Sequence, residues 1–188
     1  MKPGKPATYE DIVDLPEWKV GEIVDGELYV SPRPAPRHSL AESVLGTVLS
    51  GPFQFGTGGP GGWWILDEPE IHSAGDVLVP DLAGWRRERM PTVPETAFFE
   101  LAPDWLCEVL SPSTERLDRS KKLRRYAKMG VAHIWLVNPV LRTLEALRLV
   151  DGKWLLVATH AGDERVRAEP FEAVELDLLL LWEGRREP

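Results

Sequence analysis

Proline and glycine decide what this chain can fold into. The 188 residues include 17 prolines and 16 glycines, and these cluster between patterned segments. Such punctuation demands many turns between short elements. Hydrophobic residues make up 43% of the chain and charged residues 28%, values of a soluble globular protein rather than a disordered or collagen-like one. The length suits one domain.

The patterned segments read in order. Thr8-Tyr9-Glu10-Asp11 starts a short helical turn that ends near Leu15, before Pro16. Residues 20–31 form a hairpin about Asp25-Gly26, a pair that tolerates positive φ at both positions. Leu40, Ala41, Val44, Leu45, Val48 and Leu49 recur at helical spacing, which predicts a helix over 38–49 ended by Gly51. The glycine-rich stretch from Gly51 to Gly62 is expected to be an irregular, mobile surface loop. Trp63 to Leu66 opens a strand, and Asp76 to Trp85 is expected to form its antiparallel partner across a turn near Ser73-Ala74-Gly75, with Pro80 marking an edge or a bulge. Trp105 to Leu110 is a largely apolar strand interrupted by Glu108. A helix from Glu115 to Met129 stops at Gly130, a strand covers 133–137, and a second hairpin over 143–159 turns at Asp151-Gly152. The remainder reads as a tail with one apolar run, Val174 to Trp182. The order predicts one mixed α/β domain over 1–188, a sheet flanked by helices with a core of about 38–138.

Charge and cysteine usage narrow the function classes. The net charge of −8 argues against a protein that coats nucleic acid through its whole surface. The charge is polarised, however: Arg116 to Lys128 holds seven basic residues and one acid. That helix is either a solvated face or a surface for a phosphate backbone, with Arg116, Arg119, Lys121 and Arg125 the candidate contacts. Arg86-Arg87-Glu88-Arg89 adds a second basic cluster. The single cysteine, Cys107, allows neither an intrachain disulfide nor a cysteine zinc cage, and it reads as a buried small apolar residue. The apolar run Leu178 to Trp182 is too short to span a bilayer, and Met1 to Pro6 lacks the apolar core of a signal peptide, so a cytoplasmic protein is expected.

Two carboxylates stand in apolar strand settings. Asp81 follows Pro80, and Glu108 lies inside its strand. A buried carboxylate needs a cation, a hydrogen-bonding partner or a metal, and local salt bridges would satisfy it equally well. Asp118, Lys122 and Tyr126 are spaced four apart and share one helix face. Tyr126 belongs on the buried side, so Lys122 lies at the border of the core, within reach of the carboxylates or in a plain surface pair with Asp118.

Val79-Pro80-Asp81-Leu82, Glu108-Val109-Leu110-Ser111-Pro112-Ser113-Thr114, Asp118, Lys122, Tyr126, Gly130-Val131 and Ile134-Trp135-Leu136-Val137-Asn138-Pro139 come in a specific order. With Gly21 to Leu28 and Pro36-Arg37-His38, this order resembles the restriction-endonuclease-like family, a large bacterial family within the PD-(D/E)XK nuclease superfamily. The resemblance covers roughly residues 8–160. It implies a restriction-endonuclease-like core of helix, three strands, helix and strand, the same order read from the residues. It also implies that Asp81 and Glu108 bind a divalent metal, Mg²⁺ or Mn²⁺. The superfamily lysine normally lies two residues after the glutamate, where this chain has Leu110; in this family it corresponds to Lys122.

The implied activity is metal-assisted hydrolysis of phosphodiester bonds, with DNA the expected substrate. Asp81, Glu108 and Lys122 would be the catalytic residues, and Glu22 and His38 the supporting ones, Glu42 joining His38 one turn later. For His38 the competing reading is a surface histidine at a helix start. The alternative function is a catalytically silent nuclease-fold module for DNA binding or assembly, and a third is a structural oligomer. The tryptophans in strand patterns and the two hairpins predict core or subunit-interface surface, and with it a homodimer or larger symmetric assembly.

Overall fold

Pro80 divides the expected strand 76–85 in two, and the division shapes the architecture. In a computed structural model, which describes residues 5–183, Asp76–Leu78 (β5) and Leu82–Arg86 (β6) belong to different sheets. Across the Ala74-Gly75 turn, β5 pairs with Ile71–Ser73 (β4), while β6 pairs with Trp63–Asp67 (β3). The single long strand is therefore corrected. Proline cannot donate to a ladder, so the chain leaves one sheet and enters the other at Val79-Pro80-Asp81.

The first sheet has the order β2-β1-β5-β4, with β1 at Lys19–Val24 and β2 at Glu27–Pro32. The second has six strands in the order β10-β9-β8-β7-β6-β3, with β7 Trp105–Val109, β8 His133–Asn138, β9 Thr143–Val150 and β10 Lys153–Ala161. Only β7 and β8 pair in parallel there, so the sheet is mixed. Short strands β11 (Arg165–Val166) and β12 (Leu176–Asp177) pair separately.

Helices cover both faces of the large sheet. Helix α1, Tyr9–Val13, starts as expected, with the Asp11 carboxylate accepting the Thr8 N–H at 2.7 Å. Helix α2, Pro36–Leu49, packs against Trp63, Trp105, Cys107, Val109 and Trp135. It does not end at Gly51 but continues into a π turn, Ser50–Gln54, which buries Pro52 and Phe53. The expected loop thus begins as part of the core, and its irregular portion starts at Phe55. The opposite face, carrying Leu106, Glu108 and Leu110, meets a helical run of Glu115–Leu117 (α3), a π turn Asp118–Lys122, and Leu123–Met129 (α4). Gly130 closes this run at φ 77°, a left-handed conformation natural to glycine.

The expected tail is also core. Phe171 packs its ring against Phe53, Trp63, Trp105 and Trp135, with centroids 4.6–5.5 Å apart. Helix α5, Leu179–Glu183, buries Leu179 and Leu181. Trp63, Trp85, Trp105 and Trp135 are buried, so these rings fill the interior instead of offering surface. Cys107 is buried and unpaired, facing away from Glu108. No helix among the described residues is long and apolar enough to cross a membrane.

Candidate active site

Alternation along β7 sends Trp105, Cys107 and Val109 to the α2 side and Glu108 to the α4 side, where α4 and the small sheet converge. A cleft of about 340 Å³ opens there, lined by Glu22, His38, Asp81, Glu108, Asp118 and Lys122 among others. The π turn carries Asp118 and Lys122 into the interior, so Lys122 lies wholly inside and not at the core's border. Its Nζ lies 2.8 Å from Glu108 Oε1, 2.9 Å from Glu22 Oε1 and 3.5 Å from Asp118 Oδ1. The expected Asp118–Lys122 surface pair is thus a buried contact, and the long one of the three.

Each carboxylate has a second anchor. Glu22 Oε1 accepts the Val79 N–H at 2.9 Å, and Glu108 Oε1 accepts the Tyr126 hydroxyl at 2.6 Å. Asp81 precedes β6, and its Oδ2 accepts the Val109 N–H at 2.6 Å. Its carbonyl accepts the Glu68 N–H at 2.9 Å. The Asp81 carboxylate is thereby tied to the residue after Glu108, on the neighbouring strand. His38, in the first turn of α2, places Nε2 3.2 Å from Asp81 Oδ1 and Nδ1 3.6 Å from Glu42 Oε2.

The electrostatics follow from crowding. Burial pushes the Glu108 carboxyl well above its ordinary range; Lys122 pulls it down, and Asp118, Asp81 and Glu22 push it further up. Burial alone would depress Lys122, but Glu108 and Glu22 overcome this and hold the ammonium well above its usual value. Burial likewise disfavours a charged His38, yet Asp81 and Glu42 raise it to about 10. Around neutral pH the ammonium and the imidazolium face five carboxyl groups: Glu22, Glu42, Asp81, Glu108 and Asp118. This acidic excess is a donor set that suits a divalent cation. Oxygen ligands match Mg²⁺, and Mn²⁺ is matched as well if His38 gives up the proton that Asp81 and Glu42 favour. His38, Glu42 and Asp81 each offer one ligand atom, and the three atoms lie within 4.8 Å of one another.

Glu68 was not singled out in the sequence. It sits at φ 44° in the cleft wall, and burial raises its carboxyl above the ordinary range. Its signal was absent because Glu68 lies in an acidic, proline-flanked loop without periodicity. Tyr126 was placed in the core by its spacing, and its hydrogen bond to Glu108 came only with the fold.

The basic helix is less open than its charge suggested. Arg119 binds Glu115 at 2.8 Å and Glu145 at 2.7 and 3.1 Å. Lys121 reaches Glu27 at 2.6 Å and the Tyr29 hydroxyl at 2.5 Å, and Arg125 pairs with Asp25 and Asp76. Arg116 is exposed, and so are Arg124 and Lys128, at i+8 and i+12 along the same run. In the second basic cluster, Arg86 lies over the Trp63 ring and Arg87 over Trp64, while Arg89 pairs with Asp104.

Comparison with known proteins gives this geometry a family. No curated protein matches the chain. Among solved structures, the chain is similar to one described as a putative nuclease belonging to DUF820 from Anabaena variabilis ATCC 29413, at 22% identity. The alignment covers 95% of this chain and 99% of that one with a TM-score of 0.75, a likeness of fold. The family model Uma2, described as "Putative restriction endonuclease", matches residues 6–179, nearly the whole chain, and the protein belongs to that family.

Proposed function

We propose that this protein is a divalent-metal-dependent nuclease that hydrolyses phosphodiester bonds, with DNA as the substrate. The observation that carries the reading is the buried Lys122 ammonium between Glu22 and Glu108, in one cleft with Asp81 and His38. Burying one ammonium among several carboxylates is an expensive way to stabilise a fold, since apolar residues of similar volume often do as well. Such a cluster is instead typical of sites whose charges have chemical work.

In this reading Asp81 and Glu108 hold Mg²⁺ or Mn²⁺, with His38 and Glu42 beside them. The bound cation supplies Lewis-acid polarisation and lowers the pKa of water. The protein's own groups do the rest. Lys122 directs two of its hydrogens to Glu22 and Glu108, and its long contact to Asp118 leaves the third for charge developing on phosphate. Tyr126 fixes the Glu108 carboxyl by its hydrogen bond, and the Val109 N–H fixes Asp81. Arg116, Arg124 and Lys128 offer an exposed basic stripe to the nucleic-acid backbone. A homodimer remains part of the reading, and light scattering at micromolar concentration tests it.

Leu110, at the position of the superfamily lysine, favours the second reading, a catalytically silent DNA-binding module. One assay separates them: cleavage of single- and double-stranded DNA and RNA in Mg²⁺ or Mn²⁺, wild type against Asp81→Ala. The nuclease reading expects metal-dependent cleavage that Asp81→Ala abolishes without changing the melting temperature by more than a few degrees. Cleavage of no substrate by the wild type, with DNA binding retained, would establish the silent module.

A further inference from the structure

Glu22 belongs to the small sheet, whereas Asp81 and Glu108 belong to the strands β6 and β7 of the large one and to the junction before them. The site is complete only when the β1–β2 hairpin is seated against α4. Main-chain pairing holds that hairpin weakly to its neighbour, since β1 meets β5 at Ile23↔Val77 alone. Side chains supply the rest. Arg125 Nε contacts Asp76 Oδ2, and its Nη1 lies 3.3 Å from Asp25 Oδ1. Asp76 Oδ1 in turn accepts the Asp25 N–H at 2.9 Å. One guanidinium therefore joins the hairpin turn, the first residue of β5 and helix α4. Asp76 is buried and the Arg125 side chain is 17% exposed, so the Arg125–Asp76 pair is shielded from salt, while Asp25 is exposed. One turn earlier, Lys121 holds Glu27 and Tyr29 of β2, and the residue after Lys121 is Lys122 itself.

We propose that Arg125 is a positioning residue: with Asp25 and Asp76 it fixes the β1–β2 hairpin on α4, and so holds Glu22 against Lys122. The inference rests on the nuclease reading and deepens it. It also reassigns Arg125, which charge alone suggested as a contact to phosphate. A planar guanidinium with two committed carboxylates is a rigid fork, which a lysine reproduces only in part.

The two roles predict opposite outcomes. Arg125→Gln should slow single-turnover cleavage at saturating DNA about tenfold, leave the dissociation constant for DNA within twofold, and leave the salt dependence of binding unchanged. A phosphate contact would weaken DNA binding, flatten its salt slope by about one unit and spare the saturated rate. Asp76→Asn provides the reciprocal test. Positioning predicts the same loss of rate, with the double variant no worse than either single one. A phosphate contact predicts tighter DNA binding, because Arg125 is freed. Arg125→Lys should restore part of the rate. Amide hydrogen exchange needs no activity: Arg125→Gln should speed exchange in residues 20–30 while β7 and β8 keep wild-type protection. Unchanged exchange there would overturn the proposal even if wild type cleaves DNA. A wild type that cleaves nothing, with faster exchange in the variant, would overturn the nuclease reading and leave the hairpin clamp standing.

Discussion

The β1–β2 and β9–β10 hairpins turn through the same dipeptide. Asp25 and Gly26 have φ of 54° and 75°, and Asp151 and Gly152 have 49° and 74°. Both are therefore the positive-φ turn that suits the strand twist. Their attachments differ. Strand β9 pairs with β8 along six residues, so a main-chain ladder holds the C-terminal hairpin. The N-terminal hairpin has a single register pair to β5 and is seated by Lys121 and Arg125. Their burial differs as well. Gly21 to Val24 are all buried, including Glu22, whereas β10 is an edge strand with Leu155, Leu156 and Val157 exposed. The same local signal thus produces one element that completes a charged site and another that extends a sheet. The turn sets the hairpin; what its face meets sets its use.

The largest expected effect comes where the first hairpin meets the site. Lys122→Ala removes the shared counter-charge of Glu22 and Glu108. Cleavage under single turnover should fall about 10²–10³-fold, as for removal of one charge-stabilising donor. Stability by chemical denaturation should fall by about 3–5 kcal/mol, the cost of leaving buried charges unpaired. A destabilised variant that cleaves at the wild-type rate would reduce Lys122 to an anchor for the hairpin.

A smaller effect separates the acids of the two hairpins. Glu22→Gln should weaken Mn²⁺ binding, measured by calorimetry, about 10-fold, within the range typical of groups that orient metal ligands. Glu145→Gln on β9, which loses the charge and one of the two acceptor oxygens that bind Arg119, should leave Mn²⁺ affinity unchanged. Equal effects would break the distinction drawn between the hairpins.

The smallest effect is the most closely matched. A Cβ at Gly152 would meet no atom within 4 Å, and one at Gly26 would meet only Pro6 Cβ at 3.6 Å. Gly26→Ala and Gly152→Ala therefore carry the same conformational penalty, about 1–2 kcal/mol by thermal denaturation. Only Gly26→Ala should also slow cleavage, because only that hairpin carries a residue of the site. Equal rates in both variants would show that Glu22 keeps its place despite a strained turn.

Much of the fold was legible because its signals are local. Asp-Gly pairs, the α2 periodicity and Gly130 each constrain backbone within a few residues, and they lie where the elements turn, pack or end. At Pro80 the sequence indicates an edge or a bulge and not a change of sheet, since proline signals only that a ladder is interrupted. The π turn at Ser50–Gln54 and the core role of Phe171 were missed. Both depend on contacts between distant segments, and Phe171 lies in a stretch without periodicity.

The residues of the site divide in the same way. By itself, the sequence determined that Glu108 stands in an apolar strand and that Asp118, Lys122 and Tyr126 share a helix face, whereas Asp81, which the sequence pattern puts in a strand, lies in the junction before β6. Hydrophobic alternation and helical spacing need no tertiary information. Tertiary structure alone decided which distant charges meet. Glu22 comes to Lys122 across 100 residues, His38 meets Asp81 rather than solvent, and three further cations of the basic helix, Arg119, Lys121 and Arg125, are committed to protein carboxylates. The physical reason is the range of the interactions. Pairs four apart on one helix, such as His38–Glu42 and Asp118–Lys122, follow from helical spacing, but a salt bridge between distant segments joins groups that no sequence period relates, so it exists only after the sheets have packed.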